Sequence, residues 1–164
     1  MNAADQLHGL KRAVGNVFVG DTCRAYRFTY FIMLNKKPIL LSIVELGGYP
    51  DFSSLYESAG FDVVKTDSVR KAVKLIRQHK PKVMVAEFNF QSDFRDRTSS
   101  LETILSSTQG VVDSSMIVFY EKEFTSQYQR FLQSFEVADS LVFPIDEERL
   151  SQVLSGISHK LGES

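Results

Sequence analysis

Four glutamates fall where strand ends are expected, and they carry most of the chemistry this chain could offer: Glu45, Glu87, Glu121 and Glu123. Oxygen ligands of that kind, if brought together, would suit a hard divalent cation. Glu87 stands out among them. It closes the run Val83-Met84-Val85-Ala86 inside PKVMVAEFNF, a continuous apolar stretch with no polar residue on either face. Such a run suits a strand covered on both sides, and the C-terminal edge of an open α/β sheet is where ligands bind. On its residue context alone, Glu87 reads as an acid ending a strand, solvated or paired with Lys65 or Arg95.

Other chemistry is weakly signalled. Glu45-Leu46-Gly47-Gly48-Tyr49 has two glycines after a strand, as a phosphate-cradling loop for FMN would, but an acid begins it and Pro50 follows. His8, His79 and His159 are far apart and sit in terminal or helix-end contexts, which suits exposed surface residues. Ser53-Ser54 and Ser99-Ser100 have no neighbouring His-Asp arrangement to activate a nucleophile, and read as caps and turns.

The elements that must position these residues alternate from Pro38 onward. Ile39 to Val44 is an apolar strand, broken by Gly47, Gly48 and Pro50. Phe52, Leu55, Tyr56 and Ala59 recur at helical spacing, with Gly60 as the cap. Phe61 to Lys65 is a second strand. Asp67 or Ser68 opens a helix burying Val69, Ala72, Val73 and Ile76. The strand ending in Glu87 follows Pro81. A polar loop, Gln91 to Ser100, leads to a helix around Leu101, Ile104 and Leu105, then to a strand at Met116 to Tyr120. Tyr128, Phe131, Leu132 and Phe135 form one helical stripe read as core. Ser140 to Phe143 is a short fifth strand, and Pro144 and Asp146 open a last helix burying Leu150, Val153, Leu154 and Ile157. Five strands alternating with five helices predict a parallel sheet with helices on both faces. Its compact order is 2-1-3-4-5, the flavodoxin-like arrangement.

Residues 1–36 differ from the rest. Ala3 to Val14 suits a short helix, and Asn16 to Val19 with Tyr26 to Leu34 suits a hairpin. Three readings stand open: an edge hairpin or mobile arm, a docking strand for a partner or second copy, or an upstream extension of a protein beginning at Met33. The chain of 164 residues is 43% hydrophobic and 24% charged with a formal net charge of −1, so no basic field recruits nucleic acid or acidic lipid. Its one cysteine, Cys23, excludes an internal disulfide and a cysteine zinc cluster. No apolar run approaches the ~20 residues of a membrane span, and a signal peptide is not evident. A cytoplasmic location is expected.

Two stretches, AGFDVVKTDSVRKAVKLIRQHKPKVMVAEFNF and ADSLVFPIDEERL, resemble the CheY-like receiver domain of two-component response regulators. The first is similar to the receiver pattern ending in KPDLVLLD, the second to YLVKPF and the helix after it. The resemblance spans about Lys37 to Leu161 and implies a flavodoxin-like/CheY-like, doubly wound five-stranded sheet over 37–162, with 1–36 as an N-terminal extension. Receivers use an acidic pair, a phosphoacceptor Asp, a Thr or Ser, and a Lys. By position these fall on Val44 and Glu45, on Glu87, on Tyr120 and on Phe143. The aromatic that switches in receivers falls on Ser140, and the Pro after the lost Lys is kept as Pro144, with a cis Phe143-Pro144 bond implied.

The substitutions agree with one another. One acid in place of a pair predicts at most weak Mg²⁺ binding. Phe143 puts an apolar ring where a cation should hold phosphoryl oxygens, and Glu87 reaches a methylene too far for in-line attack at ~3–3.5 Å. The expected function is therefore a non-catalytic, receiver-like signalling domain, without a cofactor, that contacts a partner protein or a second copy. The resemblance places Gln129, Gln133, Glu147 and Arg149 on or near its partner face. Alternatives are a phosphorylatable receiver with an atypical acceptor, and a flavodoxin-like domain binding a small ligand or a divalent metal. A longer Glu87 imitating a phosphorylated Asp is the sharper reading of that residue, and the solvated or paired acid the favoured one.

Overall fold

The computed structural model describes residues 37–45, 48–89, 100–108 and 113–162. The expected hairpin within 1–36 and most of the polar loop 91–100 lie outside them. Strand β1 (Ile39–Ile43) leads to helix α1 (Ser53–Ser58), β2 (Asp62–Thr66), α2 (Val69–His79) and β3 (Val83–Phe88). Then come α3 (Ser100–Thr108), β4 (Ser115–Glu121), a 3-10 turn (Lys122–Phe124), α4 (Thr125–Leu132), β5 (Asp139–Phe143) and α5 (Glu147–Gly162). The strands form one parallel sheet in the order β2-β1-β3-β4-β5, as the alternation predicts.

Burial along the strands follows from that order. All six residues of β3 are buried, because a strand flanked on both sides and covered on both faces meets no water. The edge strands β2 and β5 are mostly half-buried or exposed. On one face Leu40, Val85, Ile117, Phe119 and Leu141 pack against Phe52 and Tyr56 beside α1 and against the Leu150, Val153, Leu154 and Ile157 stripe of α5. On the other, Leu41, Ile43, Met84, Ala86, Phe88 and Val118 pack against Ala72 and Ile76 of α2, Leu101 and Ile104 of α3, and Tyr128 and Phe131 of α4. The period of two in the strands sends neighbouring residues to opposite faces, which decides below who meets Glu87.

Helix ends obey local chemistry. The Asp146 carboxylate accepts the amides of Glu148 (2.9 Å) and Arg149 (3.2 Å), capping α5. Helix α2 ends at Lys80, whose φ of 48° is left-handed, while its N–H still reaches the Ile76 carbonyl; Pro81 follows. Gly60, at φ 95°, turns the chain from α1 into β2, a conformation that suits the absence of a Cβ. The Phe143-Pro144 bond is cis, as the resemblance implies.

Two expectations for the helices need correction. Ser68 stands at the N-cap of α2, but its side chain makes no capping hydrogen bond, and Val69 and Val73 are only half-buried. The aromatic stripe of α4 is cut short. The helix stops at Leu132, which is 39% exposed, and Phe135 packs from the segment beyond by stacking on Phe131 at 5.0 Å.

Candidate functional site

Glu87 is 6% exposed, so the expectation of a solvated acid at the strand end is wrong. It shares a face with Val83 and Val85, and β4 places Phe119 directly beside it in the register. One carboxylate oxygen accepts the backbone N–H of Glu45 at 2.6 Å, a charge-assisted bond of about 1.5–3 kcal/mol. The carboxylate thereby stitches the end of β3 to the loop leaving β1. Lys65 is not its counter-ion; the ammonium instead reaches Asp51 at 2.9 Å, and Arg95 lies outside the described residues.

Glu45 continues the stitch. Its carboxylate accepts the Val69 N–H at 3.4 Å, at the first turn of α2, where an unpartnered helix amide and the helix dipole both favour an acid. The two acids expected near one another are thus both present, but each is committed to a different backbone amide. Among the described residues no group of three or more His, Cys, Asp or Glu side chains could hold a metal ion. The grouping of Glu45, Glu87, Glu121 and Glu123 therefore does not form. Glu123 is exposed on the 3-10 turn, and Glu121 is an exposed end of β4. The Mg²⁺ that receivers use does not fit this donor set, in which Glu45 has no acidic neighbour at Val44.

Tyr49, which the sequence reading left in a weak loop motif, is the residue that closes this end of the sheet. Its ring meets Phe143 edge-on (centroids 5.3 Å, 90°) and lies tilted against Phe119 (5.6 Å, 41°). Burial, then the carboxylates of Glu87 and Glu121, push its phenol up to about 12. The phenol therefore stays neutral beside the acids. Phe143, where a receiver would present a cation, supplies a ring for Tyr49 to rest on. The one sequence feature that could have marked Tyr49 is its place between Gly48 and Pro50 just after a strand.

Tyr120 belongs elsewhere. One residue past Phe119, it turns to the opposite face and does not join Glu87. It stacks on Tyr128 (4.3 Å, 22°), and the Tyr128 hydroxyl shares a 2.7 Å hydrogen bond with the Ser140 hydroxyl. Burial raises the Tyr128 phenol, and that bond partly offsets the rise. The two positions that resemble the Thr and the switching aromatic are thus joined through one tyrosine. Among the remaining predicted residues, Val44 is half-buried and donates to the Thr66 carbonyl (3.1 Å). Gln129, Gln133, Glu147 and Arg149 are all exposed, with Arg149 paired to Asp139 at 2.8 Å.

Beside the closed end lies an open cleft of about 370 Å³, walled by Tyr49, Phe52, Tyr56 and Phe119 and reaching Ser42 on β1 and Thr66 on β2. Asp51, Lys65 and Asp67 line it as well. Hydrogen bonds from the Ser53 hydroxyl and from Lys65 hold the Asp51 carboxyl down at about 2.

The fold has many solved counterparts. The receiver domain of AraT, a response regulator from Geobacillus stearothermophilus, superposes with a TM-score of 0.60 at 18% identity, covering 78% of this chain and 98% of that one. A response regulator receiver domain protein from Clostridium thermocellum gives 0.61 at 11% identity, covering 76% and 97%. The chemotaxis protein CheY4 of Vibrio cholerae gives 0.59 at 14%, covering 74% and 98%. The fold is that of a response-regulator receiver domain. No family model matches the sequence, and no curated protein does. At these identities the likeness is one of fold. Among the described residues no helix is long and apolar enough to cross a membrane.

Proposed function

We propose that residues 37–162 form a receiver-like signalling domain that acts through protein contacts and does not transfer phosphate. The observation that carries this reading is the Glu87 carboxylate, buried to 6% exposure and bonded to the Glu45 amide. A phosphodonor would have to bring phosphorus to ~3–3.5 Å of an oxygen already inside the sheet edge. Tyr49 and Phe143 offer rings where a transferring phosphoryl group needs cations. Stabilisation of that group by one preorganised contact is worth ~2.7–4 kcal/mol, and several such contacts are replaced together. Mg²⁺ plays no part in this reading, nor does any other cofactor.

Contacts with a partner protein or a second copy fall to the exposed face carrying Gln129, Gln133, Glu147 and Arg149. The cytoplasm is the compartment we assign, and residues 1–36 an extension outside the domain. The test is incubation of wild type and Glu87→Asp with acetyl phosphate and Mg²⁺, read by intact mass. We expect no adduct on either protein, since shortening the acid restores neither the acidic pair nor the cation. A stoichiometric phosphoryl adduct on wild type that disappears in Glu87→Ala would overturn the reading.

A further inference from the structure

We propose that this chain assembles head to tail, the basic outer face of α2 in one copy docking on an acidic corner of the next. Arg70, Lys71, Lys74 and Arg77 are exposed on α2, and Arg70, Lys74 and Arg77 recur at i, i+4 and i+7 along one line. Ala72 and Ile76 are buried on the opposite side of the helix, so the cations point away from the sheet. No acidic residue falls within α2. Asp67, just before it, offsets Lys71 at 3.4 Å, whereas among the described residues Arg70, Lys74 and Arg77 have no ion pair.

The acidic corner lies across the sheet. Glu121 ends β4 beside Phe143 in the register, Glu123 follows on the 3-10 turn, and Glu147 and Glu148 open α5; all four are exposed. Lys122 interrupts the set, and Arg149 is turned to Asp139 at 2.8 Å. Val142 and Phe143, 39% and 37% exposed, stand among these acids. A basic helix suits such a corner twice over. Its ammonium and guanidinium groups meet the carboxylates, and its aliphatic stems and charge cover the apolar side chains and the Phe143 ring. The two faces do not meet within one molecule: α2 packs on β1 and β2, β3 separates these from β4, and no ion pair joins the two sets among the described residues. The chain thus carries both members of a charge-complementary pair on separate faces, which selects a second copy as the occupant. Because the faces differ, the contact is heterologous and repeats, giving chains or a ring. The proposal rests on the reading of Glu147 as part of a contact face, and not on whether Glu87 accepts phosphate, which the acetyl phosphate assay decides separately.

The test is analytical ultracentrifugation of the full chain, up to millimolar protein, at ~0.02 M and ~0.5 M salt, which differ widely in how far exposed charges act. We expect the average mass to rise with concentration at low salt and to return to that of the monomer at high salt. Reversing one face, by Lys74→Glu with Arg77→Glu or by Glu123→Lys with Glu147→Lys, should weaken self-association about tenfold, with circular dichroism unchanged. An equimolar mixture of the two variants should associate again, since each supplies the charge the other lacks. A wild type that stays monomeric at low salt would overturn the proposal. So would association that resists high salt, persists in either variant or fails to return on mixing. If a variant does not fold, the salt comparison on wild type still decides. A monomeric wild type whose α2 amides shift in NMR on adding oligoglutamate or a single-stranded oligonucleotide would give the helix to a foreign polyanion, and the proposal would fall.

Discussion

The C-terminal edge of the sheet has two halves that solve the same problem in opposite ways. Over β3, β4 and β5, a buried carboxylate is bonded to a backbone amide and roofed by Tyr49, Phe119 and Phe143. Over β1 and β2, the surface opens into a cleft that leaves the hydroxyls of Ser42 and Tyr56 in its lining. Tyr49 and Phe119 belong to both halves, forming the wall between them. The difference teaches that one sheet edge can be closed by rings over a buried carboxylate while its neighbour stays open.

That contrast can be broken most directly at the shared wall. Phe119 is 1% exposed and touches both Tyr49 and Phe52, so Phe119→Ala should destabilise the domain by about 3–5 kcal/mol, measured by urea denaturation. A loss below 1 kcal/mol would mean that the wall is not packed as described. Glu87→Ala comes next. It leaves the Glu45 N–H without its acceptor and should cost about 2–3 kcal/mol in the same assay.

A gentler change sharpens the electrostatics. Because the Tyr49 phenol is raised from 10 to about 12, its neutral form favours the folded state, and that contribution is complete below pH 10. It drains away as pH rises through 10 to 12. Glu87→Gln removes one of the two carboxylates acting on the phenol and should bring its titration below 12, followed by ¹³Cζ NMR of labelled tyrosine. Burial, the larger cause, keeps it above 10. An unchanged titration would place Glu87 electrostatically out of reach. The smallest effect is expected at the open half: Ser42→Ala breaks no hydrogen bond seen among the described residues and should change stability by less than about 0.5 kcal/mol, in contrast to Glu87→Ala.

The strand order was legible because VMVA before Glu87, with turn residues at each side, admits little besides a central parallel strand. The last helix was legible from Leu150, Val153, Leu154 and Ile157, and its cap from Asp146. The site was read less well, for definable reasons. Counting positions from the receiver pattern assigned Tyr120 to the site, whereas the pairing of Glu87 with Phe119 sends Tyr120 to the other face. Register between strands is a property of the sheet and leaves no mark in one sequence. The burial of Glu87 was missed because its amide partner, at Glu45, lies 42 residues away. Tyr49 was passed over since a loop aromatic gives no period to read.

The bond between the Glu87 carboxylate and the Glu45 amide has one more use. That amide proton belongs to no strand ladder, so it becomes exchangeable with deuterium when the roof alone lifts, without the sheet having to separate. Its exchange rate, set against those of the β3 amides, is a built-in gauge of how often this edge breathes. The Val69 proton, held by Glu45, extends the gauge to the start of α2. The Glu87 carboxylate thus doubles as the clasp whose loosening could be timed from a single resonance.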